Sequence, residues 1–376
     1  MTDQTHKPEW TPDDAGTEFA SHVMKGIIGG HDGIDKLTPN PSAPRRNIDI
    51  EAYADGVLSG NRAMLARAIT LVESNAPHHF ESAQALLQKL LPHTGNSIRV
   101  GITGVPGAGK STFIDTFGSY LTAQGYRVAV LAIDPSSSVT RGSILGDKTR
   151  MEKLSRDDNA FIRPSPTGGM LGGVARKTRE SMLICEAAGY NVILVETVGT
   201  GQSEITVRSM VDFFLLVLIT GAGDELQGIK KGVIEIADAL LINKADGDNK
   251  IPAQAARAEY NRVLHFLTSA TDVWSTRAYT ASALTGDGIE AIWQVIQKFE
   301  STTKQSGIFQ QRRQAQMREW LHTVVENQLY DFFFKHPVIQ QHLPDIEQAV
   351  ISGQLPATAG AQQLLKLVLA HVDKLD

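Results

Sequence analysis

Lys110 and Ser111 carry the clearest chemistry in this chain. They close the run Gly104-Val105-Pro106-Gly107-Ala108-Gly109-Lys110-Ser111, followed by Thr112, which fits G-x-x-x-x-G-K-[ST]. Glycines in such a run let backbone N–H groups turn inward onto phosphate oxygens. A helix starting there adds partial positive charge. The Lys110 ammonium would reach the β- and γ-phosphates of a nucleotide, and the Ser111 hydroxyl would ligate Mg²⁺. The flanks suit the task. Arg99–Thr103 reads as a short buried strand, and Ser111 to Gln124 reads as a helix.

Two further motifs narrow the nucleotide to a guanine one. Asn243-Lys244-Ala245-Asp246 follows the apolar run Ala239–Ile242 and matches the NKxD element of GTP-binding proteins. An aspartate there can accept hydrogen bonds from both the guanine N1–H and the exocyclic amine, a donor pair that adenine lacks. A site built around such a group rejects an analogue without it by roughly 10⁴-fold or more. Ser282-Ala283-Leu284 follows the expected strand Ala278–Ala281 and matches the SAK/SAL loop, whose backbone N–H contacts guanine O6. Each motif sits at a strand end, in the order the chemistry requires.

Two acids end other apolar runs. Asp134 follows Val130–Ile133, where a carboxylate can face Mg²⁺ or its water shell. Glu196 opens Glu196-Thr197-Val198-Gly199, where regulatory GTPases commonly carry Asp-x-x-Gly. Glu196 would hold a metal-bound or attacking water, and the Gly199 amide would sense the γ-phosphate.

The elements that position these residues are legible as a pattern. Strand candidates are Ile98–Thr103, Val128–Ile133, Ala160–Arg163, Val192–Glu196, Phe213–Ile219, Ala239–Asn243 and Ala278–Ala281. Several are near-continuous apolar runs, as strands buried on both faces require. Helical stretches alternate with them, which predicts an α/β fold with a doubly wound, mostly parallel sheet. The expected division is an extended arm over 1–48, a helical region over 49–95, the nucleotide-binding domain over 96–300 and helices over 301–376. The arm holds five prolines and room for one short helix near Glu18 to Ile28. In the last region Met317, Trp320, Leu321, Val324, Val325, Leu329, Phe332 and Phe333 make one apolar face. That face either packs back on the domain or joins two subunits.

Composition excludes some classes. A net charge of −5 over 376 residues argues against nucleic acid as the main partner. Cys185 is the single cysteine, so no internal disulfide forms, and its apolar helical setting suits a buried structural thiol. The eleven histidines form no tract. The N-terminus lacks a signal-peptide pattern and no apolar run reaches membrane-spanning length. The expectation is a cytoplasmic protein with no membrane partner.

Beyond the general motifs, the chain resembles the MeaB/ArgK-type GTPases of the SIMIBI class, the family of the human methylmalonic aciduria type A protein. The resemblance rests on Gly104–Thr112, Ala132–Ser137, the run from Gly142 to Met151, the run from Glu196 to Glu204, and the run from Gly221 to Gly232, within roughly residues 50 to 376. It implies a GTP-dependent, Mg²⁺-requiring chaperone that gates adenosylcobalamin loading and protects methylmalonyl-CoA mutase. The subunit-joining reading of the C-terminal apolar face predicts a homodimer, and the cobalamin adenosyltransferase is a second candidate partner. By the same resemblance the segment around Asp147 is switch I, with Asp134 and Asp147 near the metal, and 196–204 is switch II. Residues 224–231 form an additional switch in which Gln227 and Lys230 complete the hydrolytic site. Two other readings stand beside it. One is a protein kinase linked to basic amino-acid transport, against which the absence of an H-R-D loop and the NKxD element both argue. The other is a nickel-insertion GTPase, which a His-rich tract or Cys/His cluster would signal.

Overall fold

In the computed structural model, residues 48–134, 151–166, 171–197, 203–221 and 231–372 are described. The chain divides between Ile48 and Asp49, and every described element lies in the second unit, Asp49–Asp376. Of the proposed arm over 1–48, everything but Ile48, its short helix included, lies outside the described residues.

The seven strand candidates form seven strands: β1 (Ile98–Gly104), β2 (Val128–Asp134), β3 (Ala160–Pro166), β4 (Val192–Thr197), β5 (Phe213–Leu218), β6 (Ala239–Ile242) and β7 (Arg277–Thr280). They build one sheet in the order β3-β2-β4-β1-β5-β6-β7, and every pairing is parallel. Strands β4, β5 and β6 are buried along their whole length, which explains why they read as unbroken apolar runs. The central β1 lies between β4 and β5, with Ile102 opposite Glu196 on one side and Leu215 on the other. The edge strand β3 carries Pro164 and Pro166, residues that an interior strand would not tolerate.

Helices occupy the stretches around these strands. Before the sheet come α1 (Ile50–Leu58), α2 (Arg62–Glu73) and α3 (Pro77–Leu90). The Asp49 carboxylate accepts from Ala52 N, and the Asn61 side chain accepts from Ala63 N and Met64 N. These caps satisfy amides that the first turn leaves without partners. Between the strands lie α4 (Lys110–Ala123), α5 (Glu152–Ser155), α6 (Leu171–Ala187), α7 (Ser203–Arg208), α8 (Lys231–Glu235) and α9 (Lys250–Leu264). After β7 come α10 (Ile289–Gln305), α11 (Ile308–Phe334), α12 (Pro337–Ile351) and α13 (Ala357–Val372). The main core joins β1, β5 and α4 to α10, with Phe113 stacked on Phe117 and Phe213 edge-on to Phe299. The α1–α3 group packs on α6. Cys185, on that helix, is fully buried and burial pushes its thiol pKa up, as a structural cysteine requires.

The two readings of the C-terminal apolar face divide along α11. Its first half seats Phe309 and Gln316 against the domain. Farther on, Met317, Leu321, Val325, Leu329 and Phe332 are exposed. Helices α12 and α13 have a small core of their own at Ile339, Leu364 and Val368, which Phe333 and Phe334 join.

Candidate nucleotide site

Strand β1 delivers the chain to the phosphate loop, and α4 starts at Lys110. Two glycines make that hand-over possible. At Gly104 φ is 152° and a Cβ would lie 2.0 Å from the Val217 carbonyl oxygen on β5. At Gly109 φ is 81° and a Cβ would lie 2.8 Å from Asn243 Nδ2. A side chain at Gly104 would run into the β5 backbone, and one at Gly109 would be strained at that φ and displace the Asn243 amide. Lys110 is buried and its Nζ donates to the carbonyls of Gly104 (2.9 Å) and Val105 (3.1 Å). Burial pulls its pKa below the ordinary lysine range, and the charges of Glu196 and Glu204 push it back up.

The acid predicted at the end of β4 is in place. Ser111 Oγ, in the first turn of α4, donates to Glu196 Oε1 on β4 at 2.8 Å. Behind this contact, Thr197 Oγ1 donates to Thr103 Oγ1 at 2.7 Å, both fully buried. Strand β2 ends at Asp134, one residue past the Ile133–Thr197 pair, so it shares the strand end with Glu196. A hydroxyl and a carboxylate within hydrogen-bond reach are hard oxygen donors, the set that Mg²⁺ takes. The residues present therefore fit that ion. The side chain of Asp134, and Asp147, Gly199, Gln227 and Lys230 entirely, lie outside the described residues.

The expected base-reading residues come together two strands away. Asn243 follows β6 and is almost fully buried. Its Nδ2 donates to the Ala108 carbonyl at 2.8 Å, and its Oδ1 accepts from Ala283 N at 3.2 Å. One side chain thus braces the phosphate loop against the Ser282-Ala283-Leu284 turn. Thr116 Oγ1 on α4 adds a bond to the Ala283 carbonyl at 2.7 Å. Ser282 Oγ donates to the Asp246 carboxylate, and Ser282 Oγ in turn accepts from Thr285 N at 3.1 Å. Lys244 sits at φ 58°, a left-handed turn that brings Ala245 N onto the Ala281 carbonyl at 3.1 Å. Leu284 is exposed, so only its backbone is placed to serve the site.

Three contributors were not assigned from sequence. The Thr103–Thr197 bond and the Thr116 brace have no local pattern that would reveal them. Glu204 lies in the switch-like run but gained no role there. It is buried in the first turn of α7, near enough to Lys110 for its charge to be felt.

A phosphate loop at the end of a central parallel strand, braced from behind by the asparagine of a guanine-type turn, is the construction of a P-loop GTPase. The comparisons with known proteins agree. Residues 65–337 match the model of the methylmalonyl Co-A mutase-associated GTPase MeaB. The chain is 54% identical over 320 residues to a Caulobacter vibrioides protein, covering 85% of this chain and 97% of the other. It is 48% identical to the GTPase ArgK of Escherichia coli (82% and 93% covered). To the mitochondrial methylmalonic aciduria type A homolog of Mus musculus it is 47% identical (84% and 79% covered). Among solved structures, one described as a LAO/AO transport system kinase superposes with a TM-score of 0.69 at 40% identity, over 85% of this chain and 97% of that one. The chain belongs to the MeaB family of methylmalonyl-CoA mutase-associated GTPases, and it is a GTPase.

Proposed function

We propose that this GTPase is a nucleotide-gated chaperone of a cobalamin-dependent acyl-CoA mutase, methylmalonyl-CoA mutase being the first candidate. Its hydrolysis would control adenosylcobalamin loading and protect the mutase from inactivation. The observation that carries the reading is the Asn243 brace, which locks the phosphate loop and the guanine-reading turn into one unit, in a chain whose family is named for that mutase. In this reading Gly104 to Thr112 cradle the phosphates and Lys110 offsets their charge. Asp246 accepts from the guanine, with Asn243, Lys244 and the Ser282–Leu284 backbone around it. Mg²⁺ would be held by Ser111 and Glu196, with Asp134 and Asp147, and when bound it would neutralise charge developing on the phosphates. Glu196 would orient the attacking water, and Gly199 would sense the γ-phosphate.

With no arginine finger evident in the sequence, intrinsic hydrolysis is expected to be slow, about 10⁻⁴–10⁻² s⁻¹ as in unassisted G-proteins. Docking of the mutase would bring Gln227 and Lys230 to the γ-phosphate. The exposed apolar half of α11 would join two copies into a homodimer, and the protein would act in the cytoplasm. No described helix is long and apolar enough to cross a membrane. The test is phosphate release with and without methylmalonyl-CoA mutase. Wild type should be stimulated. Lys230→Ala should keep nucleotide affinity and basal rate but lose most of the stimulation. Transfer of label to protein, instead of release as free phosphate, would support the kinase reading.

A further inference from the structure

Opposite the phosphate loop, at the N-terminal ends of β5 and β6, sit two buried aspartates. Asp212 and Asp238 immediately precede these strands and are 1% and 0% exposed. Asp238 gathers partners from four directions. Its Oδ2 accepts from Phe214 N at 2.9 Å, and its Oδ1 accepts from Thr271 Oγ1. Arg208, the last residue of α7, places Nη2 3.6 Å from Oδ1. Arg312, in the first turns of α11, places Nη1 3.5 Å from Oδ2. Arg208 also donates through Nε to the Ile236 carbonyl at 2.9 Å, just beyond the end of α8. Arg312 donates to the Asp212 carbonyl and to Thr271 Oγ1. Gln316, one turn on, donates to the Val211 carbonyl at 2.8 Å and faces the Arg208 carbonyl at 3.5 Å.

Of the elements tied here, α7 carries Glu204 near its start, whose charge reaches Lys110 in the phosphate loop. Helix α7 follows β4, and α8 follows β5, the two strands that flank β1. Glu204 and Arg208 are four apart on α7 and so share a face. One end of this short helix carries the charge felt by Lys110, and the other carries the cation on Asp238. A displacement of α7 at the phosphate end therefore acts on Asp238. Asp238 cannot release one cation and stay put at small cost, because a buried carboxylate stripped of a partner is strongly destabilised. The remaining cation, Arg312, belongs to α11.

We infer that Asp238 is a shared anchor coupling the phosphate end of the GTP site, through Arg208 on α7, to the seating of the C-terminal helix α11 through Arg312. The nucleotide state and the position of α11 are then linked thermodynamically, each biasing the other by the same factor. The link is independent of which protein docks and needs only that the chain bind GTP.

Amide hydrogen exchange on the full-length chain tests this. Exchange of residues 308–334 is followed with GDP and with a non-hydrolysable GTP analogue. In wild type the two states should differ by roughly fivefold or more, the lower range of allosteric coupling. In Arg208→Gln and in Arg312→Gln that difference should fall below about twofold, while nucleotide affinity stays close to wild type. Arg313→Gln is the control. Arg313 holds α11 through Asp212, Gly95 and Ser97 and does not touch α7, so its loss should speed exchange in both states and leave their ratio intact. Should Arg312→Gln fail to melt cooperatively, Arg208→Lys carries the same expectation, since an ammonium keeps the charge but cannot span Ile236 and Asp238 together. No nucleotide-dependent difference in wild type overturns the inference. So does an undiminished difference in the Arg208 variants, or its equal loss in Arg313→Gln.

Discussion

The two ends of the sheet are built by opposite rules. At the C-terminal ends of the strands the proposed site combines glycines, main-chain groups and neutral side chains such as Asn243, Thr103 and Thr116 with single charges, Lys110, Glu196, Glu204 and Asp246, none of them held in a two-pronged arginine–carboxylate pair. At the N-terminal ends buried full charges predominate. Arg313 grips Asp212 through two nitrogens at 2.6 and 2.7 Å, and Arg99 grips Glu186 at 2.8 and 3.0 Å. The contrast follows from what each end must do. A site that takes up and releases a polyanion works with donors that re-pair readily. A joint that fixes helices is served by buried pairs whose separation is costly. Breaking one end should leave the other largely intact.

The largest effect is expected at the base-reading turn. Asp246→Asn should reverse the preference between GTP and xanthosine triphosphate, by on the order of 10⁴-fold in their affinity ratio, because the amide suits the xanthine 2-oxo group. Competition binding measures it, and an unchanged ratio removes Asp246 as the base reader. Unfolding stability should stay near wild type, since the Asp246 carboxylate lies outside the buried ion pairs.

At the other end, Asp212→Ala removes the partner of Arg313 and should cost about 3–5 kcal/mol, the range for breaking a buried pair from one side. Denaturant unfolding reads it. A loss under about 1 kcal/mol would class this pair with surface ion pairs and dissolve the contrast. Lys110→Ala should do the reverse. Hydrolysis should fall by about 10²–10³-fold, the scale of losing one transition-state donor, with the midpoint of unfolding little changed. Near-normal phosphate release by that variant would remove Lys110 from the mechanism.

The smallest expected effect is on acid stability. Burial alone would raise the Glu186 pKa, but Arg99, Ser97 Oγ and the Gly95 amide hold it below the ordinary glutamate range. A carboxylate depressed in the folded state contributes stability above its unfolded pKa and loses it as pH falls through the folded one. Wild type should therefore weaken on acidification below the usual glutamate range, and Glu186→Gln should be weaker at neutral pH with a flatter acid limb. A variant with the same acid limb as wild type would show that Glu186 is not the group titrating.

The same contrast explains what could be read from sequence. The C-terminal ends were legible because their residues lie in contiguous motifs: Gly104–Thr112, Asn243–Asp246 and Ser282–Leu284 each fit within a few positions. The interior strands were the most legible, because burial on both faces writes near-continuous apolar runs, whereas β7, half-buried at the sheet edge, was read from the turn motif that follows it. The ion pairs were not. Arg313 and Asp212, or Arg312 and Asp238, are ordinary charged residues in sequence, and only the strand order brings them together. That order itself leaves no local trace. The C-terminal face was legible as apolar, yet its division into a seated and an exposed half depends on where Arg312 and Gln316 find their carbonyls.

The placement of β1 has a consequence for how the chain is made. This strand is among the earliest to leave the ribosome, yet its neighbours are β4 and β5, from Val192–Thr197 and Phe213–Leu218. The phosphate loop at its end waits longer still, for Asn243 to bridge it to Ala283. Last to emerge are Arg312 and Arg313, the cations for Asp238 and Asp212, the second of which also closes on Gly95 and Ser97 at the start of β1. A nascent chain halted before these arginines would hold Asp212 without its cation and Asp238 with Arg208 alone. Synthesis must therefore run past residue 313 before the first strand is secured, and a premature stop in α10 should yield a product for degradation rather than a shorter GTPase.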